Sequence, residues 1–297
     1  MKVFYSDHHK VSLPTGHNFP MDKYALLREA LISQGVLCSR ELYEAPIAPR
    51  DIVTLAHTID YYDAVVNGSL SPQNIRRIGI PWSPELVKRI MASIGGAISA
   101  GRDALSSGIS GNLSGGTHHA QADRGQGFCY LNDIAVVIKH FLQTNQIKKA
   151  AIVDLDAHQG NGNSSILGDL PEVFILSIHG GKSFPYHKVP STLDISLSEY
   201  AIDKEYLPLL RKALPEVLSF QPDILFYIAG VDPLINDRFG KLALSIEGLA
   251  ERDHLVISSC KNESIPISLA LGGGYAVPIE KTIQAHVQTY KIAKQVF

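Results

Sequence analysis

The chain of 297 residues is 45% hydrophobic and 19% charged, proportions typical of a globular protein with a large core. Its net charge is −2 and it has no basic block, so direct binding to nucleic acid is not expected. Three cysteines without CxxC spacing indicate free thiols in a reducing compartment. The absence of a long apolar run or a signal-like start predicts a cytoplasmic protein with no membrane partner.

The predicted elements begin with a strand at Lys2–Tyr5 and a helix at Asp22–Gln34. A long helix is predicted over Ser83–Ser107, because Ser83 suits the N-cap, Pro84 the first turn and Gly108 the end. Short apolar runs then alternate with amphipathic segments. The runs predict buried strands at Ala150–Leu155, Val173–Ile178, Ile224–Ala229 and Ile265–Leu271, and the segments predict helices near 132–145, 204–219, 245–260 and 278–295.

This alternation of strand and helix is typical of a mostly parallel sheet covered on both faces, which is a three-layer α/β/α fold. No linker, composition break or repeat interrupts residues 1–297, so we predict a single domain. In such sheets the site lies in loops beyond the carboxyl ends of the strands. Unusual polar residues are therefore expected directly after the apolar runs.

Three such residues have the chemistry of metal ligands. Asp156 and His158 follow one predicted strand and, being two apart, project the same way in an extended segment. Asp232 follows another strand and would complete the three protein ligands typical of catalytic zinc. Alone, Asp156 could instead cap a turn and His158 could be an ordinary loop histidine.

Three further residues are candidates for catalysis. His118 and His119 suit acid–base chemistry, although an adjacent pair is often only a surface pair. Tyr275 follows three glycines, from where its hydroxyl could stabilise an oxyanion, or its ring could simply pack in the core. Phe128 could wall an apolar channel or belong to the core.

Together these segments resemble the histone deacetylase family over nearly the whole chain. The resemblance rests on four motifs in order: GGTHHAQADRGQGFCYLND at 115–133, DLDAHQGNG at 154–162, AGVDPLINDRFGKLALS at 229–245 and LGGGY at 271–275. The second motif and the short chain look most like class IV deacetylases, and bacterial deacetylase-like and acetoin-utilisation proteins share the scheme. The resemblance implies an arginase-like fold and a catalytic Zn²⁺ held by Asp156, His158 and Asp232.

The resemblance also implies the roles of several other residues. His119 would be the nearer general base and acid, and Tyr275 would polarise the acyl carbonyl. Asp154 would partner His118 and, with Ser177, help to bind a structural K⁺. Asn161 would be the partner of His119, and Lys23 would line an internal product channel. The implied substrate-binding residues are Gly127, Phe128, Phe184, Gly273 and Gly274.

Two positions depart from the family pattern. Asn161 stands where many members carry an Asp, and an amide stabilises imidazolium less than a carboxylate does. No equivalent is evident, in or beyond Ile59–Tyr62, of the rim aspartate that fixes the substrate backbone in many relatives. Peptide selectivity is therefore open.

The implied reaction is hydrolysis of acyl-lysine amides in proteins or peptides, and its substrate class has alternatives. Acetylpolyamines and other small acylated amines fit the same chemistry, and long acyl chains fit as well as acetyl. A binuclear manganese ureohydrolase is disfavoured because Gly160 stands where its second metal needs a carboxylate. A catalytically silent binding module is disfavoured because every expected ligand and the tyrosine are present. The sequence does not predict an oligomeric state.

Overall fold

Eight parallel strands form one sheet in the computed structural model, which describes residues 1–297. The strand order is β2-β1-β3-β8-β7-β4-β5-β6. The strands are β1 Lys2–Tyr5, β2 Leu42–Glu44, β3 Ile109–Asn112, β4 Ala150–Asp154, β5 Val173–Gly180, β6 Leu193–Leu197, β7 Ile224–Ile228 and β8 Ile267–Ala270.

Ten α-helices connect or flank these strands. They are α1 Lys23–Ser33, α2 Arg50–Val53, α3 Ile59–Asn67, α4 Pro72–Ile78, α5 Pro84–Ser107, α6 Asp133–Gln143, α7 Asn161–Leu167, α8 Asp203–Ser219, α9 Ile246–Asn262 and α10 Glu280–Val296. None of them is both long enough and apolar enough to cross a membrane.

The central strands are apolar throughout because both faces of the sheet are covered. In β4, Ala151 and Val153 pack into the core layer beneath α1, α8, α9 and α10, whereas Ala150 and Ile152 pack into the opposite layer beneath α5 and α6. The residues of β7 alternate in the same way. Successive side chains of a strand point to opposite faces, so these runs need no polar side. The predicted three-layer fold is confirmed.

The long helix α5 shows how local signals set an element. The hydroxyl of Ser83 accepts a hydrogen bond from the Leu86 N–H at 3.1 Å, Pro84 occupies the first turn, and Gly108 ends the helix with a φ of 87°. An N-cap hydroxyl satisfies an otherwise unpaired amide, and glycine adopts positive φ without a Cβ clash.

The predicted strands and long helices are confirmed to within a few residues, and the missed elements are short or at the sheet edge. The strands β2, β3 and β6 were not predicted, nor were the helices α2, α3, α4 and α7. The β3 sequence ISGN has little apolar pattern, although all four residues are buried. Its burial comes from α5 and its neighbouring strands, which a local pattern does not record.

Candidate active site

The three candidate metal ligands meet at the carboxyl ends of two neighbouring strands. Asp156 and His158 follow β4, Asp232 follows β7, and these two strands pair in parallel. One donor atom from each residue lies within 4.8 Å of the others. His158 Nδ1 lies 3.1 Å from Asp156 Oδ1 and 2.9 Å from Asp232 Oδ2. The three residues are buried, and they could hold a metal ion.

The charge around this cluster also favours a cation. Burial lowers the pKa of His158, but the Asp232 and Asp156 carboxylates outweigh that effect and hold it well above its usual range. Two fully buried carboxylates thus converge on one imidazole. Buried charges are expensive unless they are paired or coordinate a metal, and one N and two O donors suit a divalent transition ion. The residues present therefore fit the implied metal.

Backbone amides hold the two carboxylates in place. Gly273 N–H donates to Asp156 Oδ2 at 2.6 Å, and Ala157 N–H donates to Asp232 Oδ1 at 2.8 Å. A Cβ at Gly273 would come within 2.2 Å of Asp232 Oδ2. Only glycine lets the backbone approach the carboxylates this closely, so this glycine shapes the candidate metal site.

The histidine pair lies beside the cluster, and its members have different partners. His118 Nδ1 is 2.7 Å from Asp154 Oδ2, and His119 Nδ1 is 3.0 Å from Asn161 Oδ1. Burial lowers the pKa of His118, but Asp154 and Asp156 together raise it to about 9. Burial and the nearby His118 and His158 hold the pKa of His119 well below its usual range. The first imidazole thus favours the charged form and the second the neutral form.

The segment that carries this pair is fixed at both ends. The buried Asp133 carboxylate accepts from Gly116 N–H at 3.0 Å and from Thr117 N–H at 2.9 Å. The carbonyl of His118 accepts from Gly162 N–H at 2.8 Å, at the start of α7. These bonds tie the pair to both the α6 and α7 termini, so its position does not depend on a mobile loop.

Tyr275 faces the same cavity and is held through its backbone. Its N–H donates to Asp237 Oδ2 at 2.6 Å, and its carbonyl accepts from Arg238 Nε at 3.2 Å. Its ring packs 5.1 Å from Phe239 and 5.7 Å from Phe128, measured between ring centroids. Burial, reinforced by the nearby carboxylates, raises its pKa well above the usual range. The hydroxyl therefore keeps its proton and can donate a hydrogen bond.

A cavity of about 360 Å³ leads from the surface to these groups. His119, His158 and Tyr275 line its inner end. Gly127, Phe128 and Phe184 line its walls, with the Phe184 ring centroid 4.9 Å from that of His119. A Cβ at Gly127 would come within 2.7 Å of both the His119 and Phe184 rings. The structure thus brings these three predicted tunnel residues to one cavity. Gly274 lies behind it, against Val231 and Thr282.

The two residues predicted to bind potassium are neighbours in the sheet. Asp154 and Ser177 are register partners in β4 and β5, and both are buried. The Ser177 hydroxyl lies 3.0 Å from His179 Nδ1, and Asp154 Oδ1 accepts from Asp156 N–H at 3.3 Å. Potassium binding at this place stays a prediction.

Two residues of this region were missed by the sequence analysis. Asp237 accepts backbone bonds from Phe239 and Gly240 as well as from Tyr275, and so joins two loops of the site. Arg252, on α9, is fully buried and donates to the carbonyls of Gly230 and Leu155. Asp237 stands within a motif quoted above, whereas Arg252 lies in an ordinary amphipathic helix and gave no signal.

The sequence profile of the histone deacetylase domain matches residues 17–290, so the chain belongs to the histone deacetylase family. An uncharacterised protein of Picosynechococcus sp. strain PCC 7002 is 39% identical over 296 residues, 99% of each chain. Histone deacetylase 2 of Arabidopsis thaliana is 29% identical, covering 93% of this chain and 74% of its own length. The acetoin utilization protein AcuC of Staphylococcus xylosus is 27% identical, covering 87% and 73%.

Solved structures share the fold. The crystal structure of an HDAC homolog complexed with SAHA has a TM-score of 0.84 at 24% identity, covering 99% of this chain and 84% of that one. The HDA15 HD domain has a TM-score of 0.83 at 19% identity, and the match covers 99% of this chain and 91% of that domain's chain. The predicted family and the arginase/deacetylase-like architecture are therefore confirmed, and the family's members suggest an amidohydrolase acting on acylated amines.

Proposed function

We propose that this protein is a zinc-dependent hydrolase of acyl-lysine amides, formed by residues 1–297 as one catalytic domain. One observation carries the proposal. His158, one of the three clustered residues, lines the inner end of the same cavity as His119 and Tyr275, and Asp156 lines the adjoining pocket together with all three. A general base, a hydrogen-bond donor and a metal-binding cluster at one point are what amide hydrolysis requires.

Zinc, when bound by these three residues, would act as a Lewis acid and lower the pKa of water. His119 is suited to be the base, because its pKa is held low and a neutral imidazole can accept the proton of the attacking water. Its Nδ1–H donates to Asn161 Oδ1, which leaves Nε2 free to accept that proton.

Tyr275 is suited to stabilise the transition state. Its hydroxyl keeps its proton and can donate to the oxygen that becomes negative when water adds to the acyl carbon. Protonated His119 then gives its proton to the leaving amine as the C–N bond breaks, which yields a carboxylic acid and the free lysine amine. His118, charged beside Asp154, adds positive potential near the developing negative charge.

The substrate's methylene chain would lie between Phe128 and Phe184, with Gly127 leaving room and Gly273 lining the inner pocket. We also propose that Asp154 and Ser177 contribute to a structural K⁺ site. Replacing K⁺ in the buffer by the same concentration of Na⁺ should then lower the thermal stability of the protein. A site without selectivity for K⁺ would show no difference between the two ions.

The direct test is turnover of a fluorogenic acyl-lysine peptide alongside the metal content of the purified protein. We expect hydrolysis that a chelator abolishes and added Zn²⁺ restores. A protein that binds zinc yet releases no amine from acyl-lysine peptides or from acetylpolyamines would indicate a silent deacetylase-fold binding module instead. Hydrolysis of acetylpolyamines alone would identify the small-amine alternative.

A further inference from the structure

The charged side chains that line the mouth of the active-site cavity are all cationic. Its fifteen lining residues include four cationic side chains and no Asp or Glu. The four are Arg77, Lys182, Arg238 and Lys241, all of them exposed. The whole chain has 29 acidic residues against 27 basic ones, so this mouth is opposite in sign to the chain's net charge of −2.

Most of this charge is not neutralised by nearby acids. Lys241 is paired, with its Nζ 3.0 Å from Glu199 Oε1. Arg238 donates to two neutral carbonyls, those of Tyr275 and Asn18. Neither Arg77 nor Lys182 has a carboxylate oxygen within 4.0 Å. At least three positive charges therefore act on whatever enters the cavity.

The charges are attached to the parts of the chain that form the tunnel. Arg77 is in the last turn of α4, and its carbonyl accepts from Gly127 N–H at 3.4 Å. Lys182 directly precedes Ser183 and Phe184, which line the same cavity. Arg238 is bonded to the Tyr275 backbone. A substrate that places its acyl-lysine between Phe128 and Phe184 must hold its neighbouring residues among these cations.

Resting on the proposed function, we propose that the mouth selects acyl-lysines flanked by acidic residues and disfavours polycationic substrates, both basic peptides and acylated polyamines. Opposite charges raise association and like charges oppose it, and a cleft of one sign focuses the effect. The cavity lining has no carboxylate that would favour the opposite substrates.

The test compares three peptides of equal length with acetyl-lysine at the centre, flanked by two Glu, two Ser or two Lys on each side, together with monoacetylspermidine. At low salt we expect kcat/KM to be on the order of tenfold higher for the Glu than for the Lys peptide, mostly through KM. The difference should shrink severalfold near 1 M salt, where the screening length is about 3 Å.

A double charge reversal, Arg77→Glu with Lys182→Glu, should invert the preference. Lys148→Glu with Lys212→Glu is the matched control. Both lysines are exposed; Lys148 precedes the amino end of β4, at the opposite end of the strands from the site, and Lys212 lies on α8. The neutral pair Arg77→Gln with Lys182→Gln should weaken the preference if the reversed protein does not fold. Equal rates for the three peptides, or a preference that the mouth variants leave unchanged, would overturn the proposal.

Binding measured by fluorescence anisotropy of labelled peptides separates this proposal from the proposed function. Cleavage of the Ser peptide without any charge preference would leave the hydrolase assignment intact and refute the acidic selectivity. Tighter binding of the Glu peptide, lost in the mouth variants, would support the selectivity even where no peptide is cleaved, and only the hydrolase assignment would then fail.

Discussion

His119 hydrogen-bonds an amide where its neighbour His118 bonds a carboxylate: His119 Nδ1 lies 3.0 Å from Asn161 Oδ1. An amide oxygen accepts the Nδ1–H of a neutral imidazole but adds no full negative charge to stabilise imidazolium. Burial and two neighbouring histidines already hold the pKa of His119 low. The amide partner therefore helps to keep the proposed base unprotonated.

The substitution Asn161→Asp should raise the pKa of His119 by about one unit or more, because an adjacent carboxylate favours the charged ring. The base works only when neutral, so the acidic limb of the kcat/KM profile should move to higher pH. Measured profiles of the wild type, Asn161→Asp and the exposed control Asn145→Asp test this. If the acidic limb stays in place while the zinc content is unchanged, Asn161 does not control the pKa of the proposed base.

The fold could be predicted from the sequence because its central strands are apolar on both faces. The runs at β4, β7 and β8 are buried by helices on both sides, so local composition carries the information. Edge strands are different. The β6 strand alternates half-buried and exposed residues, and β2 is only three residues long, so neither forms an apolar run. Their pairing is set by the neighbouring strand.

The candidate site could be predicted where the motifs place polar residues at strand ends, but its supporting contacts could not. The meeting of Asp156, His158 and Asp232 follows from the parallel sheet. The bond from Arg252 to the Gly230 carbonyl joins helix α9 to a strand end through space. No spacing in the sequence records such a contact, because it depends on how α9 packs against the sheet.

The metal cluster predicts the composition of the purified protein, which should contain about one Zn²⁺ per chain. Asp232→Ala should lose both the metal and the activity, because Asp232 is one of only three converging ligands. Elemental analysis and a turnover assay check this, with the exposed Asp60→Ala as the control. Retained zinc and full activity in Asp232→Ala would show that the ligand assignment is wrong.

Tyr275→Phe should fold and keep zinc, since the phenylalanine ring preserves the packing against Phe128 and Phe239. Turnover should fall by about two orders of magnitude, the scale found for one oxyanion donor. The control is Tyr186→Phe, an exposed tyrosine of the same cavity. A loss of less than threefold would mean that Tyr275 only packs.

Arg252 should strengthen zinc binding indirectly, by holding the backbone next to two of the proposed metal ligands. Its Nη1 donates to Gly230 O at 2.6 Å and Leu155 O at 3.2 Å, next to the segments that carry Asp232 and Asp156. The guanidinium also donates from Nε and Nη2 to Asp253 Oδ1, at 2.9 Å and 2.7 Å, and lysine lacks the planar fork that makes these bonds while a third nitrogen reaches the two carbonyls. Arg252→Lys should weaken zinc binding about tenfold, the lower end for supporting contacts. Competition with a chelator measures this, against exposed Arg211→Lys, and unchanged affinity would leave Arg252 a purely structural residue.

The protein should hydrolyse acyl chains longer than acetyl at least as well as acetyl. A cavity of about 60 Å³, lined mainly by apolar side chains, adjoins the candidate active site. It shares Phe19, Tyr24, Gly115, Thr117 and Phe128 with the pocket that contains the histidine pair and Asp156. Each buried methylene contributes about 0.8 kcal/mol, so four of them would improve binding by about two orders of magnitude.

The measurement is kcat/KM for acetyl, octanoyl and myristoyl forms of one lysine peptide. Ile90 lies at the cavity wall on α5 and is only half-buried, so a larger side chain can be accommodated there. Ile90→Trp should reduce octanoyl hydrolysis about tenfold and leave acetyl hydrolysis nearly unchanged, whereas the volume-conserving Ile90→Met should change neither. A tenfold preference of the wild type for acetyl over both longer chains would contradict the prediction and identify a plain deacetylase, because the apolar cavity would then not receive the acyl chain.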